Sequence, residues 1–246
     1  MSPDHPIPTP RARESALRIV WVYPDLLSTY GDRGNLLSLA RRARARGLAV
    51  ETIEVRADQQ VPSDADIYLL GGGEDGPQAL GAQRLNADRG RHRAVQRGAA
   101  VLTVCAGYQL FGSSFFAKGE QCAGLDLLDL RSDRGPARAV GELAAQPDPA
   151  LGLPVITGFE NHGGRTLLGP GVRPLAQVSV GIGNDGRTEG AWHGRIIGTY
   201  LHGPALARNP ALADLLLRWS TGAELAPLDD TWPSRLRAER LAAVGA

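Results

Sequence analysis

Short apolar runs alternate with helix-length amphipathic stretches through the first half of the chain. Runs over 17–23, 50–55 and 67–70 read as buried strands. A fourth, Ala99-Ala100-Val101-Leu102-Thr103-Val104, leads straight into Cys105-Ala106-Gly107-Tyr108-Gln109. Between the first two runs, a helix over 35–46 is expected, capped by Asn35. It would turn Leu36, Leu37, Leu39 and Ala40 to the core and an arginine-rich face to water. Gly47 stands where such a helix stops. A second helix is expected between positions 77 and 97. Strands that alternate with helices imply a parallel sheet with right-handed crossovers.

After Phe116 the pattern changes. Strand-like runs over 125–130, 139–144, 154–159, 175–182 and 196–201 follow one another with little helix between them. The second half is therefore expected to add antiparallel strands to the same sheet. A final strong helix over 210–220 places Leu212, Leu215, Leu216 and Trp219 on one side. The prediction is a single α/β domain over 17–222, with a mixed, mostly parallel sheet flanked by helices. A leader over 1–16 has four prolines and no periodicity, so it is expected to be disordered. The tail over 223–246 holds a short helix at 233–244. Its Trp232, Leu236 and Leu241 suit either a partner-docking surface or a loosely packed end.

Composition narrows the function classes. The 246 residues carry a formal net charge of +1, which gives no general reason to expect a nucleic-acid or membrane-surface partner. No apolar run nears the ~20 residues of a membrane span, and the leader lacks the apolar core of a signal peptide. Cys105 and Cys122 lack paired spacing, so neither a disulfide framework nor a metal site is indicated. A cytoplasmic setting fits this usage.

The run ending at Cys105 has the form of a nucleophile elbow, a sharp strand-to-helix turn that lifts one side chain above the sheet edge. A helix N-terminus there would favour thiolate. A thiolate acting on an acyl group needs a base and oxyanion donors. His5 and His92 are expected to face solvent, and His193 to lie in a surface turn. His162 and His202 each follow a predicted strand, and spacing does not choose between them. The Gly71-Gly72-Gly73 run at the end of the third strand can offer an oxyanion amide beside that of Ala106. It lacks the Gly-Lys-Ser/Thr continuation of a phosphate loop, which argues against nucleotide binding.

Thr103-Val104-Cys105-Ala106-Gly107-Tyr108-Gln109 with Gly198-Thr199-Tyr200-Leu201-His202-Gly203-Pro204 resembles the class I glutamine amidotransferases, in their cobyric-acid-synthase-like (CobB/CobQ-type) branch. Three more stretches bring the resemblance nearer to the glutaminase subunits of bacterial lipid II isoglutaminyl synthases. They are Tyr23-Pro24-Asp25-Leu26-Leu27 with Tyr30-Gly31-Asp32-Arg33-Gly34-Asn35, Leu70-Gly71-Gly72-Gly73-Glu74-Asp75, and Gly158-Phe159-Glu160-Asn161-His162-Gly163-Gly164-Arg165-Thr166. The match runs over about 18–217, most of the chain.

The resemblance implies glutamine hydrolysis, with Cys105 as nucleophile, His202 as base, and Gly72 and Ala106 as oxyanion donors. It gives Arg138 to the substrate glutamine and makes His162 a loop organiser. It also implies a Mur-ligase-like ATP-dependent partner (MurT) that amidates D-glutamate of the lipid II stem peptide at the inner face of the cytoplasmic membrane. No cofactor is expected in this chain; ATP and magnesium belong to the partner. Many class I enzymes have a glutamate two residues after the histidine, where this chain has Pro204. The missing acid is expected from the partner, with Glu160 and Glu189 as internal candidates. The other readings are a glutaminase for cobalamin-type amidation and a non-catalytic scaffold for a ligase.

Overall fold

The computed structural model describes residues 15–88 and 94–245. Most of the expected leader, together with His5 and His92, lies outside the described residues. The first sheet holds β1 (Leu17–Val22), β2 (Val50–Val55), β3 (Ile67–Leu70), β4 (Ala100–Val104), β11 (Ala191–His193) and β12 (Ile196–Thr199). Its order is β11-β12-β4-β3-β1-β2, and every pairing is parallel except that of β11 with β12. Strands β3, β4 and β12 are buried at every position, which is why they read as unbroken apolar runs rather than alternating ones.

The middle of the chain does not extend this sheet, as the sequence suggested, but builds a second one. It comprises β5 (Ser114–Ala117), β6 (Glu120–Ala123), β7 (Leu130–Pro147), β8 (Ile156–Leu168), β9 (Ala176–Val180) and β10 (Thr188–Glu189). The order is β10-β9-β7-β5-β6, with β8 also antiparallel to β7. Short connections favour local hairpins over crossovers into the first sheet. The stretch around His162, where the resemblance implied an organised loop, is the middle of β8. The expected strand at 125–130 is a turn up to Leu130 that buries Leu125 and Leu128 and exposes Asp126 and Asp129. The amides of Leu125, Leu127 and Leu128 bond the carbonyls of Leu110 and Phe111, so they are not available to a ladder.

Between Arg134 and Ala139 the β7–β8 register breaks. This irregularity lifts Gly135 to Arg138 out of the ladder, and all four residues line the cavity that also exposes Cys105.

Helix α1 (Arg33–Arg44) begins two residues before the expected cap, so Asn35 lies inside it. The Asn35 side chain instead accepts the Leu206 amide at 3.0 Å. Leu36, Leu39 and Ala40 are buried as expected, but Leu37 is 56% exposed. Helix α2 (Asp75–Ala87) covers most of the expected helix; Asp88 beyond it is extended, 89–93 lie outside the described residues, and the chain is helical again at 94–96. Helix α3 (Ala106–Leu110) follows β4, and α4 (Ala205–Arg208) and α5 (Pro210–Thr221) follow β12. Proline at the first turn and Gly222 in the left-handed conformation delimit α5. Helix α6 (Thr231–Val244) has no buried residue, and its Trp232 is 74% exposed.

The arginine face of α1 is only partly solvated: Arg33, Arg41 and Arg44 are exposed as expected, but Arg42 and, just beyond the helix, Arg46 are drawn into ion pairs. Arg42 makes a two-pronged pair with Asp214 of α5 at 2.7 Å and also bonds Asp230 beside α6. Arg46 reaches the same Asp214 at 2.8 Å. The side chains of Arg42, Arg46 and Asp214 are only 11%, 4% and 16% exposed, so removing the acid leaves a desolvated Arg46 without a carboxylate and Arg42 with Asp230 alone. Asp214→Ala should therefore cost about 3 kcal/mol. At about 2–4 °C per kcal/mol this lowers Tm by roughly 10 °C. An unchanged melting curve would show that the network does not hold α1 to α5.

Candidate active site

Strand β4 ends at Val104, and Cys105 turns the chain with φ 51° and ψ −108° before α3 begins. Such a conformation costs a non-glycine residue about 1–3 kcal/mol and persists only when its surroundings enforce it. Here the Cys105 amide bonds Thr199 of β12 at 2.8 Å, and its carbonyl accepts the Gln109 amide at 2.9 Å. Gly107 is needed for a close approach. Its amide bonds the Gly71 carbonyl at 3.1 Å, and a Cβ there would stand 2.8 Å from that oxygen. The elbow is thus clamped between the end of β3 and β12.

His202 follows β12 and is clipped to Phe159 of β8 by two backbone hydrogen bonds of 2.9 and 3.1 Å. A Cβ on Gly72 would lie 2.9 Å from the His202 ring and 3.4 Å from the Cys105 Cβ. The nucleophile and the imidazole therefore meet over a residue with no side chain. The Tyr30 ring covers His202 edge-on at 5.0 Å. His202 is 1% exposed, and neither ring nitrogen has a hydrogen-bond partner among the described residues.

Neither internal acid reaches that imidazole. Glu160 accepts the amides of Ile182 and Gly183 and faces His162 Nε2 at 3.2 Å. Glu189 accepts the Thr199 hydroxyl at 2.5 Å and the Tyr200 amide at 2.8 Å. His162 is engaged at both nitrogens, its Nδ1 at 2.9 Å from the Gly164 oxygen, and it stacks on Tyr200 at 3.7 Å. The structure thus separates the two histidines that spacing left equivalent: one is saturated and one is free.

Of the two expected oxyanion donors, the Ala106 amide is directed at the Cys105 sulfur. The Gly72 amide is already bonded to Asp32 Oδ2 at 2.7 Å. Asp32 is 4% exposed, and burial pushes its carboxyl up to about 7 against the pull of that amide. Its place within the Tyr30–Asn35 stretch gave no sign of this contact, because a loop acid has no periodicity to read.

Burial also decides the protonation of the pair, and it reverses the expected thiolate. The Cys105 thiol is pushed up to about 12, first by burial and then by the Asp32 charge, with Ala106 and Arg138 opposing. Helix α3 has five residues, so its dipole is too short to compete. His202 is held down to about 4 by burial and by the charges of His162 and Arg138. The resting pair is a neutral thiol beside a neutral imidazole.

A cavity of about 410 Å³ opens in front of Cys105 and Ala106. Arg138 is tethered within it: Nε donates to Asn161 Oδ1 at 2.7 Å and Nη2 to the Tyr30 hydroxyl at 3.3 Å. The Asn161 carbonyl lies 4.0 Å from the Cys105 sulfur. Gln109 and Tyr200 join in a buried network below, with Gln78 donating to Gln109 at 2.8 Å and Gln109 to the Tyr200 hydroxyl at 3.1 Å. Tyr30, Asp32, Gln109 and Asn161 escaped the sequence reading as site residues, although each lies within a stretch that carried the resemblance. Among the described residues no group of three metal-ligating side chains occurs.

Comparison with known proteins agrees with this geometry. The GatD subunit of a glutamine-hydrolysing lipid II isoglutaminyl synthase from Staphylococcus aureus (strain N315) is 35% identical over 206 residues, covering 82% of this chain and 83% of that one. The corresponding subunit from Streptococcus pneumoniae (strain ATCC BAA-255 / R6) is 34% identical, covering 80% and 77%. A crystal structure of a glutamine amidotransferase superposes with a TM-score of 0.56 at 19% identity, covering 83% of this chain and 99% of that one, which supports the fold alone. The CobB/CobQ-like glutamine amidotransferase model matches residues 18–210, and the chain belongs to that family.

Proposed function

We propose that this chain hydrolyses L-glutamine to glutamate and ammonia and passes the ammonia to a Mur-ligase-like, ATP-dependent partner (MurT). The partner amidates the α-carboxyl of D-glutamate in the lipid II stem peptide, giving D-isoglutamine. The observation that carries the reading is the meeting of Cys105 and His202 over Gly72, at the base of a cavity that also presents Arg138. The two GatD relatives support the choice of lipid II. ATP and magnesium belong to the ligase subunit. Among the described residues no helix is long and apolar enough to cross a membrane, so work at the membrane face is assigned to the lipid substrate.

The chemistry runs from the neutral pair. As the Cys105 sulfur attacks the glutamine side-chain carbon, His202 takes the thiol proton, so the charges arise only as the bond forms. The same proton passes to the departing nitrogen, which leaves as ammonia. Water, deprotonated by His202, then attacks the thioester and releases glutamate. The oxyanion of each tetrahedral species needs two amide donors. Ala106 supplies one, and Gly72 supplies the other once Asp32 lets it go. Arg138 suits the α-carboxylate of the substrate as a two-pronged donor.

Among the described residues no acid fixes the tautomer and angle of His202, and triads lacking that partner turn over far more slowly. We assign the missing carboxylate to the ligase subunit, so that ammonia is released only where it is used. Glutaminase rates of the complex should exceed those of the isolated chain by about 100-fold or more; equal rates would remove this assignment. Cys105→Ser should abolish glutamine-dependent amidation while ammonium salts still serve the ligase. Continued use of glutamine would refute the role of Cys105.

The raised thiol gives a pH test. Its thiolate is scarce below the folded value of about 12 and grows as pH rises toward it. Iodoacetamide labelling of Cys105 in the isolated chain, read by peptide mass spectrometry, should climb about tenfold per pH unit between about pH 8 and pH 10. A plateau above about pH 9, as for an ordinary thiol, would contradict it.

A further inference from the structure

The hydrolysis scheme leaves one charged wall of the cavity unused. The Tyr30 hydroxyl stands between two ionic side chains, donating to Glu74 Oε1 at 3.4 Å and accepting from Arg138 Nη2 at 3.3 Å. Glu74, Arg138 and Cys105 all line the same cavity. A carboxylate and a guanidinium thus face one space, with a single hydroxyl between them.

Three acids line the cavity, and two are committed elsewhere. Asp75 accepts the Lys118 amide at 3.1 Å. Asp133 accepts from Gln121 at 3.2 Å and lies 3.6 Å from the Arg131 guanidinium. Among the described residues Glu74 has only the long contact with Tyr30, and although it occupies the N-cap position of α2 its side chain makes no capping bond. Most of its acceptor capacity is open to the cavity.

Free glutamine carries an ammonium and a carboxylate on one carbon, so a site that holds it as an amino acid needs an acceptor and a donor side by side. We infer that Glu74 receives the α-ammonium of glutamine while Arg138 takes its α-carboxylate. The inference rests on the glutaminase reading. Both charges are felt at the Cys105 sulfur, Arg138 lowering and Glu74 raising its proton affinity, as groups around one small cavity should be. The pairing also sets specificity. A glutamine within a peptide, or the amide that the ligase makes, has an acylated α-nitrogen or none, and leaves Glu74 without a partner. The site then spares those amides and spends only free glutamine.

The test uses the full chain in complex with its ligase subunit. It compares L-glutamine with glutaramate, which has the same amide and carboxylate but no ammonium. Glu74→Gln should raise KM for glutamine about tenfold or more and leave kcat within about twofold, since a charge-assisted hydrogen bond is lost from ground and transition states alike. KM for glutaramate should not move, and Glu74→Asp should recover part of the loss. An unchanged KM for glutamine, or an equal rise for both amides, would overturn the assignment. Wild-type complex that hydrolyses glutamine and glutaramate equally well overturns the Glu74 role alone; complex that hydrolyses neither overturns the glutaminase reading with it.

Discussion

Two backbones pass so closely at the site that no side chain fits between them. The end of β3 and the turn after Cys105 meet at Gly107, whose amide bonds the Gly71 carbonyl, and His202 packs against the bare α-carbon of Gly72. This contact holds the strained φ of Cys105, places the imidazole, and aims the Ala106 amide at the sulfur. A methyl group at Gly72 or Gly107 would push the three apart by several tenths of an ångström. The rest of the architecture serves that approach. Parallel strands β3, β4 and β12 deliver their ends side by side, and the second sheet brings Phe159, Asn161 and Arg138 over them.

The same closeness makes the site dry, and dryness works against charge. Burial lifts the thiol, lowers the imidazole and lifts Asp32 toward neutrality, all in the direction that removes ions from a low-dielectric space. What remains is a set of unmet polar demands. Two imidazole nitrogens lack partners among the described residues, and one oxyanion amide is held by a carboxylate that substrate must replace. Unpaired buried groups cost about 1–3 kcal/mol each, so a docked partner or a bound substrate that satisfies them gains that much. A site built in this way is quiet by itself and responsive to what enters it.

Much of this was legible in the sequence, and the failures share a cause. Strand β4 and its cysteine announced themselves because an unbroken apolar run ending in small residues has few other uses. Helix α5 was equally plain, with its proline start, glycine stop and leucine face. Contacts made far along the chain were not legible. Arg42 and Arg46 read as part of a wet face because their acids, Asp214 and Asp230, come about 170–190 residues later. The second sheet read as an extension of the first because periodicity gives strands but not their neighbours. Arg138 gave no signal of its own, since a strand irregularity and a hydrogen bond to Asn161 put it into the cavity. His162 and His202 could not be ranked by position; saturation of one and vacancy of the other required three dimensions.

The central claim is that a buried sulfur, not an exposed one, is the reacting atom. The most direct test is to treat the complex with a diazo-ketone analogue of glutamine and locate the adduct by peptide mass spectrometry. The account predicts one adduct, on Cys105, suppressed by excess L-glutamine and leaving Cys122 unmodified. An adduct confined to Cys122, or none on Cys105 while glutamine is being hydrolysed, would contradict it.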